Sequence, residues 1–306
     1  MAFRIKASDP FPGEFRRVAR EQLLKAIHVL AEQPDGAHAA VHAARKRFKR
    51  LRALYRLIEP DAKAFRQAEN ARIRDMARSL SAVRDATALV ETVDYLAGLA
   101  ASAEEFAALG AASRALVERR DRIASSEMDL PRKIEAAIAT CHAAIAALDT
   151  LDLPEGNGRT AKRIARAWRR QGLKARRALA ACREMPAAEA FHDLRKCGQV
   201  AWMHLTLLED LWPASLQARR REMKHLVDEL GHEHDLSVLT EAVNESPDLF
   251  GDSDTLALLL GAIITRQQAV RADALALAEN VFAGDAEWEA EIVRLLWQKA
   301  ARRLDA

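Results

Sequence analysis

The stretch Val41-His42-Ala43-Ala44-Arg45-Lys46-Arg47-Phe48-Lys49-Arg50-Leu51-Arg52 decides the fold. Wound as a helix at about 100° per residue, His42, Arg45, Lys46, Lys49, Arg52 and Arg56 fall within an arc of roughly 120°. Val41, Ala44, Phe48, Leu51, Tyr55 and Ile58 lie on the other side. A segment of this kind buries one face in a core and aims a cluster of cations along the other, which suits it to hold a polyanion. A degenerate copy, Phe191-His192-Asp193-Leu194-Arg195-Lys196, stands 150 residues further on.

Outward from these two segments the chain reads as helix throughout. Alanine, leucine, arginine and glutamate dominate, aromatics are 5%, and alternating β-branched runs are missing, so the expected class is all-α. Breaks near Gln33 to Gly36, Glu59 to Asp61, Gly98 to Ala103, Ser125 to Pro131 and Leu151 to Gly158 predict first-half helices over roughly 14–32, 38–59, 63–97, 104–124 and 131–149. The second half repeats the plan over roughly 159–183, 187–211, 214–245, 253–281 and 286–304. Arg16 pairs with Arg166, Arg20 with Arg170, His42 with His192, Arg45 with Arg195, Lys46 with Lys196, Arg74 with Lys224 and Asp85 with Asp235, always 150 residues apart. Leu80, Arg84, Asp85 and Leu89 align in the same way with Leu230, His234, Asp235 and Leu239. These pairs imply an internal duplication, halves 1–152 and 153–306, and two bundles related by a pseudo-two-fold axis.

Net charge is only +3, because 47 Lys and Arg face 44 Asp and Glu. Binding through global positive charge is therefore excluded, and the cations act only where they are segregated. Three cysteines without CxxC spacing read as small buried thiols in a reducing compartment. The start is polar and broken by proline, and no apolar run approaches the ~20 residues of a membrane span. A soluble, cytoplasmic protein is expected.

The longest basic stripe runs from Arg159 to Arg177 and includes Lys162, Arg163, Arg166 and Arg170, with Ile164, Trp168, Ala175 and Leu179 opposite. Arg16 and Arg20 form a thinner stripe, and Arg74 and Arg78 share a face with Asp85, as Lys224 does with Asp228 and Asp235. A charged helix face is ordinarily a solvated one. Here, though, no Asp or Glu stands between His42 and Arg56, and unpaired like charges one turn apart cost a few tenths of a kcal/mol per pair. The prevalence of arginine, whose planar fork grips phosphate oxygens, points to a phosphate ligand. Phe48, Tyr55 and Trp168 all fall on apolar faces, so base stacking is poorly supported.

His42 and His192 open their stripes and could donate to an anion. Arg45 and Lys46, one turn on, would repel a metal. His225, His232 and His234, with Glu229, Glu233 and Asp235, offer the one conceivable metal cluster, yet the matching segment Ala82 to Asp85 has no histidine. Asp85 and Asp235 are expected to be buried residues that orient basic side chains. The chain carries no GxxxxGK[ST], GxSxG or HExxH signature, so a binder without a cofactor, not an enzyme, is expected.

Taken together, His-x-x-Arg-Lys-x-x-Lys-x-x-Arg at 42–52, His-x-x-Arg-Lys at 192–196, Leu-x-x-x-Arg-Asp at 80–85 and Leu-Gly-x-x-x-Asp at 230–235 resemble the CHAD domain, the conserved histidine α-helical domain, over nearly the whole chain. The resemblance implies two related helical bundles around a basic central groove or pore, binding of inorganic polyphosphate, and residence on polyphosphate granules. The contacts it carries over are His42, Arg45, Lys46, Lys49, Arg52, His192, Arg195 and Lys196. The stripes add Arg16, Arg20, Arg56, Arg74, Arg78, Arg163, Arg166, Arg170 and Lys224. Gln199 and Trp202 stand where Lys49 and Arg52 stand in the first motif, which leaves the second motif thinner. The Glu-x-Glu-x-Lys strand of the triphosphate-processing domain often fused to this family is not found, so no attached hydrolase is expected. The competing readings are a metal-dependent phosphohydrolase built on His225 to Asp235 and an RNA-binding protein.

Overall fold

The computed structural model describes residues 3–80, 82–126 and 128–302. These form eleven α-helices and two short 3-10 turns, with no strand among the described residues. In the first half, α1 is Phe11–Glu32, α2 Ala37–Leu57, α3 Lys63–Ser79, α4 Ala82–Ala97, α5 Ala103–Ser126 and α6 Leu130–Asp149. In the second, α7 is Asn157–Glu184, α8 Ala188–Leu208, α9 Pro213–Glu245, α10 Ser253–Val281 and α11 Ala286–Arg302.

The helices begin and stop for local reasons. Prolines open α1, α6 and α9 in their first turns, where the missing N–H has no intrahelical partner to lose. The Asp252 carboxylate accepts the Thr255 N–H at 2.9 Å and caps α10. Gly156 enters α7 at φ +102°, a left-handed conformation that glycine adopts without a Cβ penalty.

One expected helix divides. The segment 63–97 forms α3 and α4, whereas its counterpart α9 runs unbroken for 33 residues. At the end of α3 the Ser79 hydroxyl donates back to the Met76 carbonyl at 2.8 Å, and Leu80 leaves helical geometry at φ −101°, ψ 14°. The aligned positions in α9 are Glu229 and Leu230, where the helix continues. Likewise, the segment 187–211 ends early: α8 stops at Leu208 and gives way to a 3-10 turn at Glu209–Leu211. Of the helix expected over 286–304, residues 303 and 304 lie outside the described residues.

Two apolar cores form, and neither follows the 152/153 division of the sequence. The larger gathers α1, α2, α3, α6, α7, α8 and α11 with Leu216 to Leu230 of α9 and Ala274 to Val281 of α10. The smaller joins α4 and α5 to Leu236 to Val243 of α9 and Leu259 to Val270 of α10. Each half thus buries its apolar faces against the other, and α9 and α10, each ~45–50 Å long, run through both cores. Aromatic contacts mark the shared packing: the Phe11 ring meets Phe15 at 6.0 Å and Trp297 of α11 edge-on at 5.9 Å.

Polar ties across the halves reinforce the apolar ones. Buried His204 of α8 donates from Nε2 to the Ala53 carbonyl of α2 at 2.9 Å, and burial holds its pKa down to about 4. Arg163 of α7, fully buried, is ion-paired with Asp61, donates to the Pro154 carbonyl at 2.8 Å and lies over the Phe11 ring.

Removing one partner of a buried ion pair strands the other charge and costs about 3–5 kcal/mol. Asp61→Ala is therefore expected to lower the unfolding free energy by roughly that amount in urea titration. A change under about 1 kcal/mol would mean that Arg163 is held by packing alone.

Candidate functional site

Where the two cores meet, α2, α4, α8 and α9 enclose a cavity of about 370 Å³. On α2 the spacing i, i+3, i+4, i+7 brings His42, Arg45, Lys46 and Lys49 to its wall, while Val41, Ala44, Phe48 and Leu51 on the opposite face are buried. From α8 comes Arg195, from α4 Arg84 and Asp85, and from α9 His234 and Asp235. Five basic side chains, Arg45, Lys46, Lys49, Arg84 and Arg195, thus face two carboxylates.

The pairing within the cavity is incomplete. Arg45 donates to the Ala77 carbonyl at the end of α3 at 2.8 Å and reaches Asp85 only at 4.0 Å. Arg84 is turned toward Glu91 at 2.9 Å. Lys46, Lys49 and Arg195 have no hydrogen-bond or ion-pair partner among the described residues, and the buried Nε of Arg195 is left unsatisfied. The His192 and His234 rings stack at 4.7 Å, and the buried Nδ1 of His192 also lacks a partner.

Titration behaviour follows from this crowding. Loss of hydration and the neighbouring Arg195 and Arg45 bring Lys49 down to about 8. Lys49 is exposed to the open cavity, so water entering there screens part of this penalty. Burial, aided by the cations nearby, also lowers His42 and His192, and takes His234 to about 3. Burial raises Asp235 against the opposing pull of Arg195. The basic groups are thus lowered first by burial and then by one another's charge, while Asp235 is raised by burial alone.

The remaining sequence-predicted residues lie elsewhere. Arg52 donates to Asn70 at 2.9 Å, one turn beyond Lys49 on α2. Arg56, a further turn on, has no partner among the described residues, and burial followed by Arg66 lowers its pKa. Arg16 caps α6 through the Leu148 and Leu151 carbonyls, and Arg20 pairs with Asp149 at 2.7 Å. Arg166 and Arg170 reach Asp61 and Glu59 at 3.4 and 2.9 Å, beside the buried Arg163. Arg74 pairs with Asp75, Lys196 with Asp193, and Lys224 with Asp228. Arg78 is exposed. The α7 stripe therefore serves chiefly to join α7 to the α2–α3 turn.

Two further expectations change. Asp85 is 60% exposed at the cavity rim, and Asp235 has no ion pair among the described residues, so neither is the buried orienting carboxylate anticipated. Arg84 and His234, not among the expected contacts, line the cavity. Their mutual alignment across the 150-residue offset was the available signal. The histidines near Asp235 diverge: His232 stacks on Tyr95 of α4 at 4.6 Å, His234 on His192, and His225 leans toward Glu229 at 3.8 Å. Among the described residues no group of three His, Cys, Asp or Glu is placed to hold a metal ion. No described helix is long and apolar enough to cross a membrane.

An unpaired lysine of this kind burdens the fold. With its folded pKa below the unfolded value, the unfolded state holds more protons between about pH 8 and 10.5, so stability rises with pH through that window and is reduced at neutrality. Lys49→Met should accordingly raise the thermal midpoint at pH 7 by about 1–2 °C, the shift that roughly 1 kcal/mol, already reduced for solvent screening of this exposed side chain, produces in a chain of this length. A lower midpoint, read by circular dichroism, would show that Lys49 has a stabilising partner.

No curated protein matches the chain. The family model of the CHAD domain matches residues 17–244, a span that holds all four helices of the cavity, and the chain belongs to the CHAD domain family.

Proposed function

We propose that this protein binds inorganic polyphosphate in the cavity between its two cores, as a binding module and not as a hydrolase. The observation that carries the reading is the convergence of Lys46, Lys49 and Arg195, from α2 and α8, on one cavity where no carboxylate comes within ion-pair distance of them. A chain of phosphates supplies closely spaced negative oxygens without having to be distorted, and lysine ammonium and arginine guanidinium groups are suited to bind it. The cavity lining includes Ala88, Leu89 and Val238 but no Phe, Tyr or Trp. That composition favours a phosphate backbone over a nucleic-acid base, which would ask for a stacking surface.

Beyond the cavity, Arg52 and Arg56 continue the basic face of α2, with Arg66 and Arg170 nearby and paired to Glu59. A polymer longer than the cavity would follow this face, and exchange of Glu59 for phosphate would free two more guanidinium groups. Attachment of this kind would also place the protein on polyphosphate granules. The divergent orientation of His225, His232 and His234 gives the phosphohydrolase alternative no assembled centre to work from.

Titration of the purified chain with long polyphosphate at two salt concentrations, with orthophosphate and RNA of matched charge as controls, tests the proposal. Neutralising about five phosphates gives a slope near −3 to −4 in log K against log salt. Arg195→Glu or Lys46→Glu should weaken binding about tenfold or more. Affinity should be level just below pH 8 and fall above it, because the free protein loses the Lys49 proton there and binding must restore it. In mildly acidic solution it should rise again as the anion returns protons to His42 and His192. RNA that displaces polyphosphate at equal charge, or indifference to both substitutions, would overturn the assignment.

A further inference from the structure

Far from the cavity, α11 carries an apolar stripe that nothing in the described chain covers. Trp288 is 72% exposed, Leu295 51% and Ile292 45%. At about 100° per residue these three share one side of the helix with Lys299 and Arg302, while Ala290, Val293, Trp297 and Ala301 on the other side are buried. Single exposed apolar residues are ordinary, but three in line on one helix are a surface.

Charge divides along the same stripe. Lys299 and Arg302 stand at its C-terminal end with no partner among the described residues. Just before its N-terminal end Asp285 accepts the Glu287 and Trp288 N–H groups through Oδ1 alone, while Glu287 and Glu291 are already paired with Arg169 and Arg294. Two copies of α11 laid antiparallel bring Asp285 of each, through its uncommitted Oδ2, toward Arg302 of the other, with the apolar middles between them. The register that places Ile292 opposite Leu295 places Trp288 opposite Lys299 and Asp285 opposite Arg302. Next to Lys299 there is a hollow of about 550 Å³ lined by Leu211, Trp212, Pro213, Leu296 and Ala300, and Trp212 is itself half exposed. The register that satisfies the charges therefore carries Trp288 of one copy to the mouth of this hollow on the other, where its ring can lie over the Lys299 ammonium.

We infer that α11 and the Trp212 hollow form an isologous surface for a second copy of this chain. A two-fold axis makes each favourable contact twice, and the reciprocal Asp285–Arg302 and Trp288–Lys299 pairs close the assembly at two copies. A helix pair with one side hollow falls at the low end of specific interfaces, below about 1,200 Å² in all, so association belongs in the micromolar range. None of the cavity residues lies on this surface, so both cavities stay open in the dimer.

Sedimentation of the full chain from about 1 to 200 µM, the range that brackets so small an interface, is the test. The expected result is a mass rising from 33.9 kDa toward twice that value. Trp288→Glu and Leu295→Glu should each shift the midpoint at least about tenfold toward monomer, with unchanged circular dichroism and thermal midpoint, since both side chains are exposed. An equimolar mixture of the single variants Ile292→Cys and Leu295→Cys should form a mixed intermolecular disulfide on mild oxidation in preference to either self-pair, because the register sets 292 opposite 295 and Cys141, Cys182 and Cys197 are buried. A chain that is monomeric throughout, a dimer that Trp288→Glu leaves intact, or a monomer that floats with lipid vesicles through this face would each overturn the assignment.

Discussion

Like charges brought together without counter-charge are the constraint on which this molecule turns. Lys46, Lys49 and Arg195 converge on one cavity although nothing within ion-pair distance compensates them, and a chain free to relax would move them apart. They stay because α2 and α8 are fixed by apolar burial on their opposite faces, where Phe48, Leu51, Phe191 and Leu194 are all at most 2% exposed. Burial of such side chains is worth roughly 1.5–3 kcal/mol each, which outweighs the repulsion of partly hydrated cations across a water-filled space. The cost of the arrangement appears instead as depressed basic pKa values at Lys49, His42, His192 and His234.

The rest of the architecture keeps the cavity walls in place. Glu59 and Asp61, in the turn after α2, hold Arg163, Arg166 and Arg170 of α7, which anchors one half of the chain to the other. His204 ties α8 to α2 through the Ala53 carbonyl. On the far wall, Glu233 accepts from Arg271 of α10 at 2.8 Å and from Ser237 at 3.1 Å, so that its neighbours His234 and Asp235 are turned into the cavity. Carboxylates are thus used behind the walls to fix helices, and few are left inside.

Much of this was legible from residue order, for reasons that also explain the failures. The 3.6-residue period marked α2 as two-faced, and the same face lines the cavity. The period says that an apolar face is buried but not against what, so the sharing of both cores between the two halves could not be read from it. The α7 stripe misled for a related reason. It lacks acids one turn away, which is what an unpaired stripe looks like, yet its acids come from Glu59 and Asp61, about a hundred residues earlier. Arg84 and His234 could have been found, since they stand 150 residues apart, the spacing of the other aligned pairs.

The account rests on Lys49 being a cation held without a counter-ion. Its protonation can be followed directly by NMR of isotopically dimethylated lysines, with the signal assigned by Lys49→Arg. The account predicts a midpoint near pH 8 in the free protein and a rise toward the ordinary lysine value once a short polyphosphate is added. A midpoint already near 10.5 in the free protein, or one that polyphosphate leaves unmoved, would contradict it.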